Sequence, residues 1–404
     1  MGDDMLIELD MVQSVAIAVI VLLIGKLLVR KFEVLRKYCI PEPVVGGFLF
    51  AILHLILRQV NIVQIGMDTT LQDFMMTIFF TSVGFSASLK LLKKGGFKVF
   101  LFLVAAVGLV ILQNIVGASL ATILNLDPLL GMATGSIPMT GGHGTAAAFG
   151  PELERLGAVN ANTVALAAAT FGLVSGSMIG GPTGNRLITK FNLSYNRNDT
   201  RVGIEEVDLL EDEQPISLNQ TSLSLGIFEI LIAMGFGTII SAFFVSIDIT
   251  LPGYIGAMLI GALIRNISDT TKWFDTPMVE IDSIGSISLS IFLSMALMGL
   301  RLWELADLAI PLFIMLFAQV LLVFLYANFV TFRVLGKDYD AAVMAAGHCG
   351  FGLGATPNGI ANMTSVVGKF GIFPTAFFVL PLVGALFIDF VNSATIVFFV
   401  NLFS

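Results

Sequence analysis

The side chains that could do chemistry lie deep in apolar sequence: His143, His348, Asp389 and Asn392. Each histidine sits in a run of Gly, Ala, Thr and Ser. Ser136 to Phe149 reads SIPMTGGHGTAAAF, and Ala345 to Asn362 reads AAGHCGFGLGATPNGIAN. An ionisable group inside a membrane costs several kcal/mol unless something uses it. The plainer reading is a satisfied His bridging helix backbones. Their twin placement, one per Gly-rich stretch, favours a site. Thr140, Thr145, Cys349, Thr356 and Asn358 add small polar groups nearby. Gly141, Gly142, Gly144, Gly350, Gly352 and Gly354 let backbone come close to a ligand.

Asp389 and Asn392 are three residues apart and share a helix face. A carboxylate there needs a cation, a proton or a salt-bridge partner. No Lys or Arg falls in the middle of an apolar run, which favours a small cation or proton. Na+ prefers oxygen ligands, and Asp389, Asn392, Ser136 and Thr356 are the donors expected to hold it. Gln113, Asn114, Gln319 and Asn328 are read as joining helices by hydrogen bonds, and Glu229 as solvated or capping. Enzymatic signatures are missing: there is no HExxH, GxSxG, P-loop or EF-hand pattern and no zinc-like Cys/His spacing. Cys39 and Cys349 are too far apart in sequence to suggest a disulfide framework.

The elements that must position these residues are membrane spans. The 404 residues are 56% hydrophobic and 12% charged, against about 25% charged in soluble domains. Mean hydropathy is +0.92. Much of the acid behind the net charge of −8 lies in the first ten residues and between Asp199 and Glu213, and nothing here is built for nucleic acid. The first apolar run lacks a basic n-region and is expected to stay as a span.

Spans are expected over Met11–Val29, Val44–Leu57, Leu71–Leu89, Phe97–Leu124 and Thr163–Pro182. Five more follow over Thr221–Val245, Tyr254–Ile264, Ser283–Leu300, Leu308–Phe332 and Phe373–Leu402. The Gly-rich stretches cannot be good uninterrupted helices, since each Gly costs about 0.8–1 kcal/mol relative to Ala. Broken backbone in hydrocarbon must be covered by protein or line a wet cavity. They are read as re-entrant hairpins near 128–149 and 340–362. Pro41 with Pro252, Gly84 with Gly299 and Asp127 with Asp338 stand about 211–215 residues apart, marking a repeat. The chain therefore divides into a first repeat over 1–190, an acidic cytoplasmic linker over 191–220 and a second repeat over 221–404.

Five spans per repeat is odd, so the second repeat enters the membrane inverted. With both termini outside, only Arg58, Arg155 and Arg301 of the 21 Lys and Arg face outward. The expected fold is an all-α polytopic membrane protein of two inverted five-helix repeats. Paired Gly/Pro-broken segments point to a secondary transporter's binding site. Broken helices aim N–H groups at anions and carbonyls at cations. That geometry suits cation-coupled symport of an anion.

IPEPVVGG, LDPLLGMATGSIPMTGGHGTAAAFG, SISLSIFLSMALMGLRLWEL and KDYDAAVMAAGHCGFGLGATPNGIANM resemble the bacterial sodium/glutamate symporter family, from the first span to the last. The resemblance implies a Na+-driven importer of L-glutamate in a bacterial inner membrane. It also implies a homodimer, surrounded by membrane lipid, whose substrate domain moves like an elevator. Family site residues fall on Thr140 to Thr145 and Gly347 to Asn358. Thr140 replaces a serine expected before the glycines and keeps the hydroxyl. Asp389 and Asn392 match the family's FIDxVN. A related symporter of another di- or tricarboxylate, such as citrate or malate, possible also with H+ coupling, is the alternative.

Overall fold

The computed structural model describes residues 5–60, 63–94, 96–193, 219–247, 252–305, 308–370 and 376–404. Most of the expected acidic linker lies outside the described residues. Strand β1 (Met5–Leu9) leads into α1 (Met11–Lys31). A capping box starts that helix: Gln13 N–H donates to Asp10 at 2.8 Å, and Asp10 N–H donates to the Gln13 side chain at 3.1 Å. After the short α2 (Glu33–Lys37), Pro41-Glu42-Pro43 opens α3 (Glu42–Gln59), where proline at the first turn removes no needed donor. Strand β2 (Val63–Met67) pairs with β1 in parallel, Met5 opposite Val63 through Leu9 opposite Met67. The ribbon ties the start of α1 to the end of α3, and it amends the all-α expectation.

Helices α4 (Thr70–Ser86), α5 (Leu89–Lys94) and α6 (Gly96–Ile123) follow. The first Gly-rich stretch is broken into α7 (Pro128–Met132), α8 (Ser136–Met139) and α9 (Gly142–Arg155), before the long α10 (Ala161–Phe191). Then come α11 (Gln220–Ser246), α12 (Gly253–Thr271) and α13 (Met278–Met298). Helix α14 (Ala309–Tyr326) continues through a π-helical turn (Ala327–Thr331) into α15 (Phe332–Val334). The second Gly-rich stretch forms α16 (Tyr339–Phe351) and α17 (Thr356–Phe370). The chain closes with α18 (Ala376–Leu386) and α19 (Ile388–Phe403), bent by 45° at their break. Asp127 and Asp338, matched in the sequence register, both cap hairpin helices. Leu129 N–H donates to Asp127 at 2.8 Å and Ala341 N–H donates to Asp338 at 2.7 Å.

Among the described residues seven helices are long and apolar enough to cross a membrane, or eight with α18–α19 counted as one bent span. Ten were expected. Of the other two, α4 is too short at 17 residues, and the last turns of α12 are polar, with Arg265, Asn266, Ser268 and Asp269. Both helices are largely covered by neighbours, so protein rather than lipid meets their polar groups.

The helices pack in two groups. One holds α1, α3, α4, α11, α12 and α13; the other holds α6 to α10 with α14 and α16 to α19. Both groups draw on both halves of the chain. In the first group small residues set the approach: a Cβ on Gly84 would strike the Met258 carbonyl, and one on Gly47 would strike Leu297 Cβ. Lipid is as apolar as leucine, so such close packing does what hydrophobic burial does in water. The second group contains the hairpins, with Phe102, Phe149, Phe351, Met132 and Met139 fully buried around them.

Candidate functional site

The two hairpin breaks meet. The first is Thr140-Gly141 between α8 and α9; the second is Gly352-Leu353-Gly354-Ala355 between α16 and α17. Gln113, midway along α6, joins them. Thr140 Oγ1 donates to Gln113 Oε1 at 2.7 Å, and Gln113 Nε2 donates to the Gly352 carbonyl at 2.7 Å. Gln319 Nε2 of α14 donates to the Gln113 carbonyl at 2.8 Å. Gly142 has φ +63, and a Cβ there would lie 2.8 Å from the Gly354 carbonyl oxygen. Glycine alone meets both demands cheaply.

Around this junction, His143 and Thr145 are buried, while Gly141 and Gly144 are half-buried. Thr170 Oγ1 donates to the Leu166 carbonyl at 3.2 Å. The same oxygen pairs with His143 Nε2 at 2.9 Å. Gly144 faces Phe79 of α4 and Leu289 of α13, each 3.3 Å from where its Cβ would stand. The first tip thus lies on the seam between the two helix groups. On the second hairpin, Asn358 Nδ2 donates to the Leu173 carbonyl at 3.0 Å, and its Oδ1 is buried without a partner among the described residues. Thr356 lies against Gly384 of α18. Cys349 is fully buried, with Sγ donating to Thr183 Oγ1 at 3.7 Å, and Gly350 packs on Asn358.

The histidines are not twins. His143 follows its break, at the start of α9, whereas His348 precedes its break, inside α16. The ring of His348 is packed by Phe102, Tyr326 and Phe351 at 5.1, 6.0 and 5.8 Å between centroids. Its Nδ1 pairs with Thr331 Oγ1 at 2.8 Å, and Nε2 has no partner among the described residues. The third histidine, His54, accepts from the Ile65 N–H at 3.2 Å and holds β2 on α3.

A second constellation lies at the start of α8. Ser136 N–H donates to Asn114 Oδ1 at 2.9 Å, and Asn392 Nδ2 donates to the Ser136 carbonyl at 3.2 Å. These bonds leave Ser136 Oγ and Asn392 Oδ1 buried without partners among the described residues, two orphaned oxygens on adjoining residues. Orphans of this kind carry a desolvation cost of about 1–3 kcal/mol. Asp389, one turn before Asn392 in the first turn of α19, has no hydrogen bond or ion pair to its carboxylate among the described residues. A hard cation would satisfy this donor set. The set contains a single carboxylate, consistent with there being no cluster of three His, Cys, Asp or Glu suited to a metal among the described residues.

Gln113 and Gln319 join helices, as their place in apolar runs predicts. What the sequence leaves hidden is that Gln113 joins both hairpin tips at once. Thr170 and Thr331 were also missed, being single hydroxyls in apolar helices, and Asn362, at the end of the second Gly-rich stretch, was given no role. Asn362 Nδ2 donates to the Gly176 carbonyl at 2.9 Å and ties α17 to α10.

The sequence model of a family described as sodium/glutamate symporter matches residues 7–372. A sodium/glutamate symporter of Escherichia coli (strain K12) is 42% identical over 392 residues, covering 96% of this chain and 97% of that relative. The sodium/glutamate symporter of Shigella flexneri gives the same figures. That of Haemophilus influenzae is 41% identical over 388 residues, 95% of each chain.

Proposed function

The chain belongs to the sodium/glutamate symporter family, and from that premise we infer that this multi-pass membrane protein couples Na+ to the carriage of L-glutamate. It is a secondary transporter, not an enzyme. The observation that carries the site is Gln113 holding Thr140 and Gly352 on one amide, so that two broken helices present backbone to one place.

In this reading glutamate lies at the junction of the tips, at Thr140, Gly141, Gly142, His143, Gly144 and Thr145 on one side. Gly352, Gly354, Thr356 and Asn358 face it from the other. The backbone N–H groups at the buried start of α9 are suited to its carboxylates, with Thr356 and Asn358 supplying N–H groups at the start of α17, where Pro357 has none. Cys349 and Gly350 shape the wall behind, and His348 acts from its aromatic box on the position of Gly352. Na+ is held by Ser136 and Asn392 with Asp389, and Thr356, against Gly384 of α18, is the donor proposed from the second hairpin.

Two inverted repeats of five helices, over 1–190 and 221–404, complete the proposal. Its support is a pair of matched contacts. Gly47 and Met258, and likewise Gly84 and Leu297, are related by the register of about 211–215 residues. Exchanging halves therefore carries the Gly47–Leu297 approach onto Met258–Gly84. The side-chain pairings favour the cytoplasmic placement of basic residues and outward termini in a bacterial inner membrane. Lys98 meets Asp338 and Asp340 at 3.6 and 3.3 Å, and Lys369 meets Asn185 at 2.8 Å, all on the side expected to be cytoplasmic. Elevator movement would slide the hairpin group along the seam at Gly144. A homodimer would then be held through the other group, leaving the hairpin group free.

The test is radiolabelled L-glutamate uptake into proteoliposomes with an inward Na+ gradient, against choline. Accumulation above equilibrium that needs the gradient is expected. Accumulation driven by a pH gradient alone, or of citrate but not glutamate, would refute it.

A further inference from the structure

A second polar feature lies far from the hairpin tips, where the last turns of α10 meet the π-helical turn after α14. Arg186, Lys190, Arg333 and Lys337 line a cleft of about 160 Å³ there, together with Phe191, Phe329 and Phe332. No carboxylate lines it, and none of the four cations has an acidic partner among the described residues. Two other clefts with lysines, beside Arg265, differ in this respect: both include Asp269. Like charges gathered without counter-charge repel one another, so an anion is the missing member.

The apolar residues say which kind of anion. Phe191 and Phe329 are about half exposed, at 52% and 48%. The cations are laid over rings: Arg333 Cζ is 5.6 Å from the Phe329 centroid, Lys190 Nζ 5.5 Å from Phe191, and Arg186 Cζ 5.7 Å from Phe324. Phe191 and Phe332 stack at 5.3 Å. Charged heads above exposed rings, at the ends of membrane helices, make the boundary where headgroup meets acyl chain. The volume is below the roughly 300–1,000 Å³ of pockets that enclose a whole drug-sized ligand, so it takes a small head and leaves the rest outside. The turn that presents Asn328 and Phe329 is π-helical (Ala327–Thr331), a form frequently found at functional sites.

We infer that this cleft binds the phosphate of an anionic phospholipid, whose acyl chains lie along Phe191 and Phe329. Basic pockets between membrane helices recognise such headgroups. The cleft belongs to the helix group that carries the hairpins, so the bound lipid would steady that group at one membrane depth.

Purified wild type and two separate variants, R186Q/K190Q and R333Q/K337Q, would be equilibrated with phosphatidylglycerol or phosphatidylethanolamine and retained lipid read by native mass spectrometry. The charge-keeping R186K and R333K serve as folding controls. Wild type and both controls should retain phosphatidylglycerol over phosphatidylethanolamine, and each double variant should lose at least about ten-fold in that retention. Equal retention by wild type and both double variants would overturn the site. Inorganic phosphate that displaces the lipid at equal concentration would overturn the lipid reading in favour of a free anion.

Discussion

Thr140 and Gly352, 212 positions apart in the chain, are bound to the two ends of one amide. Gln113 accepts from the Thr140 hydroxyl and donates to the Gly352 carbonyl, both at 2.7 Å, and all three are buried. A single side chain from a membrane-spanning helix therefore joins both tips directly, beside the ties that each hairpin makes to α10 through Thr170 and Leu173.

Replacing Gln113 by Leu removes both bonds and leaves a buried hydroxyl and a buried carbonyl unpaired. The expected loss is about 1–3 kcal/mol of stability, seen as a lower melting temperature in detergent. Glutamate KM should rise with it, because the tips lose their register. Gln319→Leu, which cuts only the tie to the Gln113 backbone, should lower the melting temperature with a smaller change in KM.

Gly142→Ala forces a side chain into the left-handed region, at about 1–2 kcal/mol, and drives it toward the Gly354 carbonyl. Uptake should fall at least about ten-fold, since the strain falls on the tip itself. Gly235→Ala on α11 meets no atom within 4 Å; it should leave uptake unchanged and add up to about 1 kcal/mol of stability. Measuring initial uptake rates of both in proteoliposomes separates site strain from a general intolerance of alanine.

Ser136→Ala and Asn392→Ala each remove one orphaned oxygen. The half-saturating Na+ concentration should rise about ten-fold, a cost of about 1.4 kcal/mol, with the rate largely recovered at high Na+. Asp389→Asn should have the larger effect, since it removes the one formal charge of the proposed donor set. A rate loss that no Na+ concentration restores would place these residues in packing instead.

The two histidines should part company. His143→Ala frees Thr170 and opens the tip, raising glutamate KM about ten-fold. His348→Gln keeps a partner for Thr331 and should move KM by less than about three-fold while lowering the melting temperature. Equal effects on KM would return His348 to direct contact with substrate.

Much of this was readable from local chemistry. Pro41-Glu42-Pro43 starts a helix because proline fixes the first turn, and Asp127 and Asp338 cap because aspartate accepts from a free N–H. The breaks at Thr140 and Gly352 follow from glycine's poor helix propensity. The orphaned oxygens of Ser136 and Asn392 were foreseen only as residues. That they adjoin depends on α19 reaching α8 across 256 positions. The non-equivalence of His143 and His348 escaped because the point at which a Gly-rich stretch breaks, before His143 but after His348, is invisible in composition. Likewise α4 and α12 read as spans from hydropathy alone, and it takes the packing to show protein covering them.

The central claim is that the joined tips and the oxygens behind them form one coupled site. Glutamate affinity measured by calorimetry, in saturating Na+ and in choline, tests it most directly. Linkage predicts tighter binding with Na+ by about 5–150-fold, the same factor for Na+ with glutamate present, and a flattened dependence in Ser136→Ala. Equal glutamate affinity with and without Na+ would contradict the account.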